Sequence, residues 1–114
     1  MDVFRHSERL RRLADRDGVT VHTADRTGPP DEWTVRLTAP TGRTTAAWAF
    51  RAPGDEPPRV GDVLEQWLSI ATRHHPMLAV PEPVRSALAA DLGALLGDRL
   101  PEYLAGLGRA ERSS

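Results

Sequence analysis

The stretch Val60–His75 constrains this chain most. Val60, Val63, Leu64, Trp67, Ile70 and Ala71 recur on one side of a 3.6-residue period, which predicts an amphipathic helix. Asp62 is positioned to cap its start, with Glu65 three residues on as capping-box partner. Arg73, His74 and His75 place basic or titratable groups at the negative end of the helix dipole. Pro76 disfavours helical geometry at the residue before it and closes the stretch. A helix with one apolar stripe needs a second layer to cover it. The segments that precede it supply that layer.

Those segments alternate with period two. Val19 to Ala24 sets Val19 and Val21 against Thr20 and His22. Trp33 to Ala39 sets Trp33, Val35, Leu37 and Ala39 against Thr34, Arg36 and Thr38. Thr44 to Arg51 sets Ala46, Trp48 and Phe50 inward, with Thr45 and Arg51 outward. Pro40-Thr41-Gly42-Arg43 is a short turn, so the last two strands form a hairpin. An antiparallel meander of three strands follows, with one apolar and one polar face.

Asp2 to Asp17 reads as a first helix, capped by Asp2, with Phe4, Leu10, Leu13 and Ala14 as its apolar stripe. Gly18 suits the left-handed position beyond its end. Ala52 to Arg59, rich in proline, is a stiff linker. Met77 to Pro81 is an extended apolar connector. Pro83 opens a helix to about Leu96, with Val84, Leu88, Leu92, Leu95 and Leu96 as its stripe. Gly97 ends it. Pro101 opens a last short helix holding Tyr103, Leu104 and Leu107, and residues 109–114 form a frayed tail. The expected architecture is a single α+β domain over residues 1–114, sheet on helices.

Composition narrows function more than it names it. A chain of 114 residues buries roughly 65% of its unfolded surface, enough for one modest core. A formal net charge of -1 argues against generic binding to nucleic acid or anionic membrane. There is no cysteine, so thiol chemistry and disulfides are absent. No stretch has the length and apolarity of a membrane span or a secretory h-region. A cytoplasmic location is expected.

All 15 basic residues are arginine, the side chain better shaped for bidentate carboxylate and phosphate contacts. A GC-rich genome accounts for the same bias. Arg5, Arg9, Arg12 and Arg16 share a face of the first helix and are the candidate contact for an anionic partner. Glu8, Asp15 and Asp17 dilute that face, and a solvated helix face is the favoured explanation.

No catalytic, cofactor-binding or metal-binding signature is present. His74 and His75 are adjacent, so their rings diverge on a helix instead of meeting on a metal. Ser69 lacks a nucleophile-elbow context, and the glycines form neither a phosphate loop nor a dinucleotide fingerprint. The chain is expected to be non-enzymatic and to need no cofactor.

The order helix, three strands, helix resembles the double-stranded-RNA-binding fold in topology. That fold's RNA contacts imply basic residues at the start of the second helix, where this chain carries Asp62 and Glu65. A second resemblance rests on Gly18-Val19-Thr20-Val21-His22, Trp33-Thr34-Val35-Arg36-Leu37, Gly42-Arg43-Thr44 and Gly61-Asp62-Val63-Leu64. These runs resemble small proteins of unassigned role from actinobacteria and their phages, in which a β-meander precedes an Asp-Val-Leu helix. The resemblance covers about residues 18 to 72 and implies the fold but no activity. After His75 those proteins continue with a short acidic segment containing Trp or Phe, whereas this chain adds leucine-rich helices.

The surplus of leucines after Met77 carries the functional expectation. A three-stranded sheet offers one apolar face, and the helix from Val60 already covers much of it. Exposed apolar patches mark interfaces. The chain therefore reads as a protein-interaction module, a homodimer or a hetero-complex, built on Val84, Leu88, Leu92, Leu95 and Leu96; the competing reading is that these helices simply finish the core of a monomer. The alternative is an accessory domain that binds a small ligand or nucleic acid through the Arg-rich first helix or the polar sheet face.

Overall fold

The computed structural model describes residues 6–23, 32–52, 56–72 and 80–107. The element order is α1 (Ser7–Asp17), β1 (Thr20–Thr23), β2 (Glu32–Thr38), β3 (Trp48–Arg51), α2 (Val60–Thr72) and α3 (Glu82–Leu96). A 3₁₀ turn (Gly97–Arg99) then leads into α4 (Leu100–Gly106). The strands form one antiparallel sheet in the order β1-β2-β3. This is the α+β layout expected from the sequence. The expected roles of Asp2, Phe4, Arg5, His74, His75, Pro76, Met77 and the tail fall outside the described residues.

Helix α1 ends as its sequence requires. Gly18 takes φ 75° and its N–H bonds to Asp15 O at 3.3 Å. Only glycine adopts that conformation without strain. Val19 N–H then reaches back to Ala14 O at 2.9 Å, which turns the chain directly into β1.

Strand β2 is the spine of the sheet. Trp33, Val35 and Leu37 are buried while Thr34 and Arg36 are exposed, the expected period of two. The turn after it closes with Gly42 N–H donating to Ala39 O at 2.9 Å, with Gly42 at φ 94°.

The third strand departs from its expected alternation. Thr44 bridges to Thr38, yet Val35 faces Trp48 and Trp33 faces Phe50. An unbroken ladder from the Thr38–Thr44 bridge would have set Val35 against Ala47. One extra residue is therefore accommodated between Thr44 and Trp48, as in a β-bulge. The side chain that gains is Thr45, 2% exposed. Its N–H donates to Leu37 O at 2.9 Å, and its hydroxyl accepts the Leu37 N–H at 3.1 Å. A hydroxyl thus replaces a ladder carbonyl. Ala46, expected inside, is exposed, and Thr45, expected outside, is buried.

Helix α2 lies at the centre of the molecule. Val63, Leu64, Trp67, Leu68 and Ile70 are buried, and so are Glu65 and Gln66. The helix begins at Val60, so Asp62 sits within its first turn and is not its cap. Glu65 serves another helix instead, since its Oε1 accepts the His6 backbone N–H at 3.1 Å. Gly61 brings α2 against α1: a Cβ there would stand 2.2 Å from Ser7 O. Trp67 is fully buried, and its indole N–H donates to Ala49 O on β3 at 2.9 Å.

Helices α3 and α4 complete the core. Leu88, Leu92, Leu95, Leu96, Tyr103 and Leu107 are buried. Pro81 and Pro83 bracket the start of α3, and Gly97 at φ 56° ends it.

Candidate interaction surfaces

The expected leucine interface is redistributed by the fold. Leu88, Leu92, Leu95 and Leu96 pack within the chain's own core, and Val84 alone of that stripe is exposed, at 39%. The reason is geometric. α3 packs against α2 and α4 and reaches the bulge through Asp91, which turns its leucines inward. Val84 lies in the first turn of α3, beyond the reach of that contact.

Val84 borders a groove of about 370 Å³. Its walls are Trp48 and Ala49 of β3, Gln66 and Ile70 of α2, and Val80, Val84 and Leu88 at the start of α3. Glu32 and Arg51 also line it, at 3.6 Å from each other. Gln66 faces the outer edge of β3: its Oε1 accepts the Arg51 N–H at 2.9 Å and its Nε2 donates to Arg51 O at 2.7 Å. A side-chain amide here does what a neighbouring strand would do. Together with Trp67 on Ala49 O, it closes the β3 edge to strand addition. The groove's polar groups are thus engaged with one another.

The opposite edge of the sheet is different. Both main-chain groups of Leu37 point towards Thr45, its O accepting the Thr45 N–H and its N–H donating to the Thr45 hydroxyl, so alternate residues Thr38 and Arg36 face β1. Their partners Thr20 and His22 are paired, and the N–H and C=O groups of Val21 and Thr23 point outward. Among the described residues these groups have no hydrogen-bond partner. On the polar face beside that edge stand His22 and its cross-strand neighbour Arg36, both exposed.

The arginine stripe of α1 is only partly available. Arg9, Arg12 and Arg16 are exposed. Arg16 is committed to Asp17 at 2.9 Å and to Glu102 of α4 at 2.7 Å. Arg12 lies 3.8 Å from Glu8. Arg11, outside the stripe, pairs with Glu8 and with Asp15. The Arg11 hydrogen bond holds the Glu8 carboxyl below its ordinary range, and Arg16 does the same first for Asp17 and for Glu102. At the start of α3, the Ser86 hydroxyl and then Arg85 lower Glu82 likewise. Charge on this surface is mostly spent internally.

Sequence reading did not single out Gln66, Asp91 or Gly61. Gln66 and Asp91 are ordinary polar positions until the partner element is placed. Gly61 carried a faint signal, because a glycine in the first turn of an otherwise apolar helix costs helix stability and implies a packing reason.

Among the described residues, no cluster of three or more His, Asp or Glu side chains could hold a metal ion. No helix among them is long and apolar enough to cross a membrane. Comparison of the chain with known protein families, with curated proteins and with solved structures returns no match.

Proposed function

We propose that this chain is a non-enzymatic protein-interaction module that self-associates through the groove at the start of α3. One observation carries the reading. Val84 is a large apolar side chain left exposed, and it stands on the rim of an apolar recess. The same patch therefore offers both a projecting side chain and a place to receive one. That self-complementarity is what a twofold interface requires.

A small polar ligand fits the groove less well. Ligand sites fix orientation with a few convergent polar groups. Here Gln66 is bonded to the Arg51 backbone and Arg51 lies beside Glu32, while Trp48 donates its indole N–H to Asp91. An apolar anchor asks nothing of those groups.

Light scattering from low to high micromolar concentration tests this. The mass is expected to rise towards twice the 12.5 kDa of one chain. Val84→Asp is expected to stay monomeric with an unchanged melt, since the side chain is already at the surface. A wild-type mass that stays at one chain throughout would remove the self-association reading.

A further inference from the structure

The two edges of the sheet are treated unequally, and we infer from this that β1 accepts an acidic extended segment of a partner protein as a fourth strand. The surface lies across the sheet from the α3 groove and does not depend on it. β3 is closed by side chains: Gln66 occupies both main-chain groups of Arg51, and Trp67 occupies Ala49 O. Among the described residues β1 has no such closure. Val21 and Thr23 present N–H and C=O groups outward without a partner among the described residues. Native edges are normally blunted by charge, proline or a bulge. Thr20-Val21-His22-Thr23 is short, at four residues, but carries no lysine, carboxylate, proline or bulge.

Charge selects the occupant. A strand added antiparallel to β1 would bond at Val21 and Thr23. Its residue between those two positions would face His22 as a non-bonded pair, where side chains approach most closely. His22 in turn faces Arg36. Arg36 is exposed and has no ion pair among the described residues. The carboxylate on this face, Glu32, lies at the far end of β2 beside Arg51. Among the described residues, Arg36 therefore gives the face around His22 a positive charge that no neighbouring carboxylate offsets. A Glu or Asp at the facing position complements it. A second copy of the chain would set two His22 rings opposite each other and bring a further Arg36 guanidinium, but no carboxylate, to the face around His22. An extended strand with a central acidic residue is the occupant that the face fits. Main-chain bonds would supply affinity, and the carboxylate would supply selectivity.

The experiment uses the whole isotope-labelled chain and a blocked peptide, Ser-Val-Thr-Glu-Thr-Val-Ser, followed by amide NMR shifts. Counterparts with Gln or Lys at the central position are titrated in parallel. Saturable shifts centred on Val21 and Thr23 are expected with the Glu peptide. The Gln peptide should bind about two- to fivefold more weakly, the range of an exposed ion pair. The Lys peptide should bind more weakly still. Arg36→Gln should erase the difference between Glu and Gln peptides while leaving the Val21 and Thr23 shifts in place. Equal binding of all three peptides would overturn the acidic preference. Shifts absent from β1 with every peptide would overturn strand addition itself. Shifts at Val21 and Thr23 that grow with protein concentration alone would assign the edge to a second copy and overturn the inference.

Discussion

Asp91 of α3 and Trp48 of β3 are joined by the indole N–H, which donates to Asp91 Oδ2 at 2.8 Å. The same oxygen accepts the Ala46 backbone N–H at 2.9 Å. One carboxylate therefore holds both sides of the irregular segment that admits the extra residue in the third strand. Without it the Ala46 N–H would lose its partner just where the ladder is broken.

Asp91→Ala should consequently cost about 1.5–3 kcal/mol, the range for hydrogen bonds to a charged group. Asp91→Asn retains an acceptor oxygen and should cost less. Urea unfolding reads both. A loss of under about 0.5 kcal/mol for the alanine variant, the spread of ordinary surface substitutions, would mean that the bulge holds its shape without α3.

Gly61 gives a prediction in which two effects compete. Replacing a helical glycine by alanine normally gains about 1 kcal/mol from helix propensity. Here the new methyl would lie 2.2 Å from Ser7 O and 3.1 Å from Arg11 Cβ. Ser7 O is a main-chain atom and cannot rotate aside, so α1 must move off α2. Overpacking of this kind typically costs about 1–3 kcal/mol. Gly61→Ala should therefore destabilise in urea titration, and a stabilised variant would contradict the close helix contact.

The legible and illegible parts of this molecule differ in a physical way. The alternation of Trp33, Val35 and Leu37, the stop at Gly18, the turn at Gly42 and the Pro83 start are local. Each follows from a side-chain period or from one backbone conformation, and a single stretch of sequence carries it. The inversion at Thr45 and Ala46 is not local. Both Thr44–Arg51 alternations look alike until Asp91 arrives from α3, some 45 positions along the chain, to hold the slipped register. The leucines of α3 were ambiguous for the same reason. Leu88 and Val84 lie one turn apart on the same stripe, and only the position of α3 against the sheet makes one core and the other surface. Gln66 is the clearest case at the candidate site. Its place beside Trp67 says that it is near the core, but its role depends on which strand edge α2 covers.

The last prediction concerns Tyr103 of α4, which is fully buried and donates its hydroxyl to Asp17 Oδ2 at 2.8 Å. Burial, and then the hydrogen bond to a carboxylate, raise the phenol's pKa well above its ordinary value. Asp17 moves the other way: Arg16 first, and Tyr103 after it, hold its carboxyl below the usual range. The two shifts act at opposite ends of the pH scale. The folded state keeps the Tyr103 proton when an unfolded phenol, near pH 10, gives it up. Stability from this group is complete below about pH 10 and is lost as pH rises from there towards the folded value. Asp17 contributes above its unfolded pKa, near 3.9, and that contribution disappears as pH falls through the lower folded value. Tyr103→Phe removes the phenol and one of the bonds to Asp17. Near neutral pH it should cost about 1.5–3 kcal/mol. Its stability should also fall less steeply than the wild type's above about pH 10, and its acid limb should be shallower. Urea unfolding of both proteins across the pH range gives the comparison, and parallel alkaline limbs would show that Tyr103 does not titrate with unfolding.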